Sequence, residues 1–512
     1  MSFISLRPSA RSAAPRFLAP ATAMALCLAA IQPGAAFALT APEAWANLQS
    51  MAAGAGLTMT STGMSGGDAS VTVSGLRIFP TANPNDLIIS MDTLRVEPQG
   101  EMITLAPSAQ VDLAILFAGG LTRHFTVTHD GTITGNLTET NAALDLDFPT
   151  LSLVQVPGSV TLPGGKGGSV ADPLSVSVQF QALDASLRAA REGAAELSLR
   201  ATSVSYDVTY PDPATEGATV SQMGTLATPA VRFTGTELDM LSDEEGALRR
   251  AFDSGFSARL EFTSGASAQT SRQMVEGMAV NMQTQGGSSE MVIEAANGRV
   301  DISGTAEALS MSGNYGPIPG SVTLAGMSMA FGLPLVVTPG DQAMRYMISL
   351  EDVAPSAELL AMVGAGQFAG EQATVTLDLG AQGRLTREIG PDFGEGDAPP
   401  FDVSSVALND LRLQVGDSAL TGSGAVALIG GLMGQIGQAR PNADGRFLFD
   451  LVGGERLLTR LQGMGLVPQD QLFFVRMMMN GLSRPVGDDH LQSEVVLQPG
   501  GTVTVNGAPL PF

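Results

Sequence analysis

Two pairs of residues carry the side chains that most readily suggest chemistry. His124 and His129 lie five residues apart in a run typical of a β-strand, so their side chains point to opposite faces and favour contact with solvent over a shared metal. Asp145 and Asp147 lie two residues apart and share a strand face, where paired carboxylates could bind a cation or transfer protons. A solvated strand explains them more simply. We therefore predict neither a catalytic residue nor a metal site.

Ser418 is a third candidate because it ends a Gly-Asp-Ser triplet at 416–418. The triplet resembles the nucleophile block of GDS-type hydrolases. The later His490 does not complete their Asp-x-x-His pattern, because Asp488 and Asp489 directly precede it. The triplet also lies between two strand-like runs, which predicts a hairpin turn. A hydrolase is therefore the weakest hypothesis, and we expect no enzyme and no cofactor.

The chain is acidic, with a formal net charge of −24. Lys and Arg are the residues that bind nucleic acid and anionic membranes, so this charge argues against both partners. We interpret the charge as a solubility feature. With 60 glycines, 24 methionines and 5% aromatic residues, the composition favours extended β-structure with many turns over a compact enzyme core.

Residues 1–38 have the pattern of a secretory signal sequence. Three arginines form its positive start, an apolar segment follows over 17–31, and Ala-Phe-Ala at 36–38 supplies a cleavage site. The apolar segment is too short to span a bilayer comfortably. We expect export to the periplasm, cleavage near Ala38 and no stable transmembrane anchor afterwards. The lone Cys27 lies inside the signal, so no disulfide is expected.

The rest of the chain predicts a mainly β fold. Runs with a period of two residues follow one another at short spacing from residue 69 onward. An antiparallel sheet with one apolar face must cover that face, and the predicted helices are too few to do so. We expect an extended, curved antiparallel sheet with a few short capping helices, either open as a groove or closed as a sandwich. Methionines in the strands could line the groove or fill the sandwich core: Met278, Met282, Met291, Met311, Met327, Met329, Met344 and Met347.

Local signals predict several short helices. The first covers 41–55, with Thr40 as its N-terminal cap and Trp45 on its buried side. Two more are predicted: one over 241–256, with Ser242 as a candidate cap, and one over 356–364, introduced by Pro355. We expect the helix with Trp45 to close one end of the β-structure.

Turn signals and a repeat suggest how the strands are organised. Gly75 interrupts an alternating run and predicts a β-bulge, and residues 129–131 predict a hairpin turn. Pro-Gly-Ser-Val-Thr-Leu occurs at 157–162 and again at 319–324, which indicates a possible duplication of the β-structure. We predict these divisions: signal 1–38, first helix and first β half 39–240, second β half 241–400, and C-terminal β segment with helical cap and hairpin 401–512.

The C-terminal cap contains the densest apolar helical surface after the signal. One helix is predicted over 454–464 and a second over 471–482. The second is apolar almost all round, so it should be buried or should meet something apolar. We therefore place one end of any ligand-binding site against Phe473, Phe474 and Met478.

Two C-terminal stretches resemble the end of AsmA-like envelope proteins. Residues 408–424 read L-N-D-L-R-L-Q-V-G-D-S-A-L-T-G-S-G, and 444–465 read D-G-R-F-L-F-D-L-V-G-G-E-R-L-L-T-R-L-Q-G-M-G. With its signal, its Trp-bearing first helix and its closing V-N-G, the whole chain is similar to the bacterial DUF2125 family, and DUF945 periplasmic proteins end similarly. The resemblance implies no catalytic residues. AsmA relatives are membrane-anchored, often with long lipid-guiding β-grooves, whereas this chain is expected to be released.

These expectations leave two hypotheses from different classes. In the first, the chain is a periplasmic protein that binds an acyl chain or lipid in a β-groove as part of envelope maintenance. In the second, it is a structural or partner-binding envelope protein that holds no ligand and works through its acidic surface. A continuous apolar trough would favour the first, and a filled core the second.

Overall fold

A computed structural model describes residues 39–510, with short gaps. The gaps are 55, 101, 118–120, 138–140, 162–173, 191–192, 213–217, 239–245, 276–277, 316–317, 388–399, 437–439, 441 and 468. The predicted signal sequence and Cys27 lie outside the described residues. The chain divides into two compact units, Met1–Leu199 and Arg200–Phe512. The divisions expected near 240 and 400 stay predictions.

The predicted fold class is confirmed, because strands make up 67% and helices 14% of the structure and the strands pair antiparallel. Within the described residues, the first unit contains helix α1 (Ala41–Gly54) and ten strands, and an eleventh strand ends at its boundary. The strands are β1 (Leu57–Thr60), β2 (Gly63–Gly67), β3 (Ser70–Pro80), β4 (Leu87–Gln99), β5 (Met102–Pro107), β6 (Gln110–Phe117), β7 (Leu121–His129), β8 (Thr132–Leu137), β9 (Asn141–Thr161), β10 (Ser175–Ala190) and β11 (Ala195–Arg200).

The second unit is built mainly from long antiparallel strands. They are β12 (Ser203–Pro211), β13 (Thr219–Ala227), β14 (Ala230–Thr236), β15 (Ser257–Ser264), β16 (Ser267–Val275), β17 (Met278–Gly286), β18 (Ser289–Ala296), β19 (Arg299–Tyr315), β20 (Ile318–Pro334), β21 (Gln342–Pro355), β22 (Ala373–Leu385), β23 (Phe401–Val415), β24 (Ser418–Leu428), β25 (Ala443–Val452), β26 (Arg484–Gly487), β27 (His490–Gln498), β28 (Thr502–Val505) and β29 (Ala508–Pro509). Its helices are α2 (Ala247–Asp253), α3 (Ala357–Met362), α4 (Gly454–Gly463) and α5 (Gln469–Leu482), with 3₁₀ turns at Gly366–Phe368 and Met433–Gln435.

Helix α1 covers one face of the first unit's sheet. Thr40 caps the helix as predicted: its backbone N–H donates to Glu43 Oε2 at 2.8 Å, and Thr40 Oγ1 accepts from the Glu43 N–H at 3.4 Å. The backbone hydrogen bond from Thr40, followed by the one from its hydroxyl, lowers the pKa of Glu43. Trp45 is 6% exposed and packs in a core with the buried strand residues Val71, Val73, Leu76, Leu94, Val96, Ile103 and Leu105. This helix therefore closes the sheet that it contacts.

Gly75 shifts the alternation of β3 without adding a residue to the pairing. Val73 and Leu76 are both buried, so the strand changes parity at Gly75, whose φ is +58°. Ser74 pairs with Thr93 and Leu76 with Met91, however, which leaves the register unshifted. The predicted change of face at Gly75 is therefore confirmed, but the predicted extra residue in the strand pairing is wrong.

The hairpin predicted at 129–131 is also wrong. Strands β7 and β8 do not pair with each other; both pair with the long β9, β7 along 151–161 and β8 along 142–147. Residues 129–131 carry the chain from one stretch of β9 to the next. Asp130 Oδ1 accepts a 2.7 Å hydrogen bond from the backbone N–H of Thr150, which fixes this connection to β9.

Other local predictions agree with the structure to within a few residues. Ser356 caps α3, accepting from the Leu359 N–H at 3.5 Å. Helix α2 is shorter than predicted and begins after Gly246, while 239–245 lie outside the described residues. Asn506 and Gly507 both have positive φ, at +51° and +84°, in the predicted hairpin between β28 and β29.

The two copies of the repeated hexapeptide occupy different places in their strands. The first occurs at the end of β9, and its final residue lies outside the described ones. The second occurs near the start of β20. The expected duplication stays a prediction.

Candidate functional site

Three rows of mainly apolar residues run across neighbouring strands of the second unit. Directly paired residues of an antiparallel sheet point to the same face, so each row lies on one side of the sheet. The first row is Val231, Phe262, Met291, Gly304, Met329, Ile348, Leu377, Leu411, Gly422, Phe449 and Ser493. The second is Phe233, Leu260, Ile293, Ile302, Phe331, Tyr346, Leu379, Leu408, Gly424, Phe447, Val495 and Val505. The third is Met327, Leu350, Val375, Leu413, Leu420, Leu451 and Leu491.

We call these three rows together the apolar face. Along a strand, members of different rows are separated by one residue, or by two at the irregularity in β23, so the three rows are on the same side. The second row crosses strands from β14 to β28; at a spacing of about 4.8 Å between strands it is about 50 Å long. One continuous apolar strip therefore extends through most of the second unit.

The apolar face remains accessible to solvent. From β14 to β27 every member of the rows is half-buried or exposed. The largest exposures are at Tyr346 (47%), Met329 (43%), Leu413 (43%) and Met291 (41%). Side chains in a covered sheet are buried, as in the first unit, so this face is not packed like a core.

The opposite face of the same strands is mainly polar and carries ion pairs between strands. Arg259 binds Glu294 at 2.6 Å, and Arg345 binds Asp378 at 2.9 Å. Partial burial raises the pKa of Asp378, but hydrogen bonds from Arg345 and then Asn409 outweigh it, and the net effect lowers that pKa. This sheet therefore has one water-facing side and one apolar side.

Helix α5 lies against one end of the apolar face. A methyl group added at Gly454 would meet Leu451 Cδ2 at 2.8 Å and Met479 Cε at 3.0 Å, so these two side chains approach each other beside that glycine. The hydroxyl of Ser493, in the first row, donates a 2.8 Å hydrogen bond to the carbonyl of Leu482, the last residue of α5. The helix thus borders the face at β25 and β27.

The predicted site residues lie on the outer side of α5. Phe473 is 72% exposed, Phe474 is 55% and Met478 is 43%. Leu472, by contrast, is buried. Helix α5 is tied to α4 by the 2.9 Å ion pair between Arg476 and Glu455. The structure therefore brings the three predicted residues together, exposed and beside the end of the apolar face.

The methionines predicted to line a groove divide between different places. Met291, Met327 and Met329 belong to the rows, and Met344 lies on the same side of β21 but is buried. Met347 lies on the opposite side of β21. The other three are outside the rows: Met278, Met282 and Met311.

The aromatic and aliphatic members of the rows were not identified from the sequence. Phe262, Phe331, Phe447 and Phe449 each occupy an alternating position in a strand-like run, which is the signal that indicates a shared face. What the alternation does not give is the register that aligns these runs from strand to strand.

The candidate catalytic and metal residues do not form a reactive site. Asp145 and Asp147 are exposed on β9, and Asp145 binds Arg188 at 2.6 Å. His129 is buried, contrary to the prediction, and its ring packs edge-on against Phe148 at 5.1 Å. Within the part of the chain that the structure describes, no group of three His, Cys, Asp or Glu side chains could hold a metal ion.

Ser418 performs a structural role at the predicted hairpin. Val415 pairs with Ser418 across the two-residue turn, which confirms the hairpin. The buried Ser418 hydroxyl donates to the Gly453 carbonyl at 2.9 Å. His490 Nε2 instead lies 3.2 Å from Asp450 Oδ1. The serine hydroxyl is therefore engaged with the backbone and not with the histidine.

Two small cavities lie away from the apolar face. One of about 350 Å³ is lined by Tyr206, Gln269 and Thr284 among others, and burial raises the pKa of that tyrosine. The other, of about 390 Å³, includes Asp92 and Asp112. Neither cavity is lined by a residue of the three rows.

Comparison with known proteins identifies no relative: no family model matches the chain, and no characterised protein matches it. The similarity to DUF2125 and AsmA-like proteins therefore stays a prediction. Among the described helices, none has the length and apolar character needed to cross a membrane.

Proposed function

We propose that this protein binds an extended apolar ligand, the acyl chain of a lipid, along the apolar face of its second unit. The observation that carries the proposal is the continuity of the three rows together with their accessibility. Exposed apolar patches of this extent mark interaction sites in soluble proteins. The predicted signal sequence supports a periplasmic location and a role in maintaining the envelope.

The chemistry of the face suits a flexible hydrocarbon chain. Covering the face removes apolar surface from water on both partners, which contributes about 0.8 kcal/mol for each CH₂ group buried. Methionine side chains such as Met291 and Met329 adapt to chains of different shape. The rows contain no formal charge, so nothing in them requires a charged group on the ligand.

Glycines in the first row sit beneath larger side chains of the face. Gly304 lies between Met291 and Met329, and Gly422 lies between Leu411 and Phe449. A Cβ added at Gly422 would lie 2.5 Å from Cδ1 of Phe449, so that ring packs over the glycine. At Gly304 the nearest side-chain atom, Met329 Cγ, would be 3.5 Å away, which is ordinary van der Waals contact.

Binding of a fluorescent long-chain fatty acid tests the proposal with two matched variants. Leu413→Arg introduces a charge on the apolar face, and Leu448→Arg introduces the same charge at a 39% exposed position on the opposite face of the sheet. We expect Leu413→Arg to weaken binding at least tenfold and Leu448→Arg to leave it unchanged, with similar melting temperatures. Equal affinities for both variants would reject the apolar face as the site.

Native mass spectrometry of protein purified from its own periplasm separates the two function classes. A lipid adduct lost in Leu413→Arg supports ligand binding. The structural or partner-binding alternative would be supported by three results together: a mass without ligand, no binding of the fatty acid, and capture of an envelope protein that weakens as salt is raised.

A further inference from the structure

Helix α5 presents an apolar surface that its own contacts leave open. We call Phe473, Phe474, Met477 and Met478 the outer patch; all four are more than 40% exposed. At 100° per residue they span an arc of about 140° on the helix. The inner side of α5 carries the buried Leu472, the half-buried Met479, and Arg476, which pairs with Glu455. The helix therefore has two apolar sides, of which one is packed.

Polar residues surround the outer patch. Gln471 and Asn480 are both exposed and lie at its two margins on the helical wheel, and the exposed Gly481 falls within its arc. Asp470, in the first turn of α5, falls within the same arc. An amphipathic helix that lies in a membrane surface combines aromatic and aliphatic residues on one side in this way. Burial of an apolar side chain contributes free energy in proportion to the area removed from water, so the highly exposed Phe473 would contribute most to binding.

The position of α5 links the outer patch to the proposed ligand site. Met479 approaches Leu451 of the third row beside Gly454, and Leu482 is bound by Ser493 of the first row. A ligand that leaves a membrane beside the outer patch would meet the end of the apolar face within the width of one helix. This continuity favours a lipid source over an unrelated protein partner.

We propose that α5 docks the protein on the surface of a zwitterionic lipid bilayer by inserting the outer patch, and that acyl chains pass there between the bilayer and the apolar face. The inference rests on the proposed function. The formal net charge of −24 repels anionic lipid headgroups, so the surface that fits is a neutral one. The four side chains of the outer patch carry no charge, and Asp470, one turn earlier on the same side of the wheel, adds a negative charge that also disfavours anionic headgroups.

Flotation with phosphatidylcholine vesicles tests the docking surface. Phe473→Ser combined with Phe474→Ser removes the outer patch, and these exposed positions are not needed for packing. Met362→Ser combined with Val363→Ser is the matched control. Met362 is the last residue of α3 and is 57% exposed, and Val363 follows it and is 58% exposed. We expect the first variant to reduce the floated fraction at least tenfold and the control to leave it unchanged.

A second readout separates this inference from the proposed function. The α5 variant should still bind the fluorescent fatty acid from solution but should no longer extract it from vesicles. Leu413→Arg should lose fatty-acid binding and still float with vesicles. Flotation of the α5 variant like the unmodified protein would overturn the inference, as would failure of the unmodified protein to float. If the unmodified protein forms a dimer and does not bind vesicles, and the α5 variant is monomeric, the outer patch would instead be the contact with a second copy of the chain.

Discussion

The two units treat the apolar side of their sheets in opposite ways. In the first, α1 lies on the sheet, and Trp45 packs among strand residues such as Val73 and Val96 that are shielded from water. In the second, the rows through Met329 and Leu413 stay accessible over about 50 Å. The strands of both units pair antiparallel and contain similar residue types, and strand residues of the first unit outside the core under α1, such as Leu116 and Val154, are exposed as well. The presence or absence of a covering helix therefore decides whether an apolar face is a core or a surface.

This difference has a thermodynamic meaning. A covered face contributes its buried area to folding, whereas an accessible face retains most of that free energy until something binds. The second unit is held instead by long strand pairings and by ion pairs on its polar side, such as that between Arg345 and Asp378. We expect mutations in the first unit to act on stability and mutations on the apolar face to act on binding.

The largest effect on stability should follow from truncating Trp45, the side chain by which helix α1 packs on the sheet of the first unit. Trp45→Ala should lower the free energy of unfolding by about 3–5 kcal/mol, because it leaves a cavity among residues that are almost fully buried. Phe331→Ala, at a half-buried position on the apolar face, should cost about 1 kcal/mol. Chemical denaturation followed by circular dichroism measures both. Equal losses would remove the contrast between the units.

A stabilising substitution is expected at His129. Its ring is buried, and neither ring nitrogen hydrogen-bonds to another residue in the described part of the chain. His129→Leu should raise stability by about 1 kcal/mol, since a buried polar group without a partner is costly. His124→Leu, on the same strand and half-buried, should change it by less than about 0.5 kcal/mol. A drop in melting temperature for His129→Leu would show that the imidazole has a polar role.

A smaller effect on stability is expected at Thr40, where helix α1 begins. Thr40→Ala removes the hydroxyl that caps α1 and should cost about 1 kcal/mol, while Thr40→Ser should restore most of it. Thermal unfolding of both variants measures the difference. No loss in Thr40→Ala would mean that packing of Trp45 alone holds the helix.

The smallest effect should appear on the polar side of the second unit at acid pH. The pKa of Asp378 is lower in the fold than its ordinary value of 3.8, so its contribution is complete above that value and is lost as the pH falls towards the lowered pKa. Asp378→Asn should be less stable than the unmodified protein at pH 7, and the difference should shrink as the pH falls below 3.8 towards the lowered pKa. Asp444→Asn, at an exposed position on β25, is the control. A constant difference between Asp378→Asn and the unmodified protein at all pH values would contradict the ion-pair account.

Features encoded over a few residues could be predicted from the sequence. The cap at Thr40, the buried Trp45, the turn at Asn506 and Gly507 and the helices of the C-terminal region all follow from neighbouring residues. The mainly β class follows from alternation, which is also local. These signals do not depend on which strands meet.

Features that depend on pairing between distant strands could not be predicted. The end-to-end arrangement of β7 and β8 along β9 removed the expected hairpin and buried His129. The apolar face has the same origin, since Phe262 and Phe449 share it only through the register of the strands between them. The three predicted residues on α5 were found because a helix places them together within a few positions.

Photocrosslinking tests the central claim most directly. The unmodified protein is incubated with a palmitic acid that carries a diazirine near its methyl end, irradiated, digested and mapped by mass spectrometry. We expect crosslinks on the apolar face of the second unit, at peptides containing Met291, Met329 or Leu413. Crosslinks confined to the first unit or to the polar face, or none above the level of an unfolded control, would contradict it.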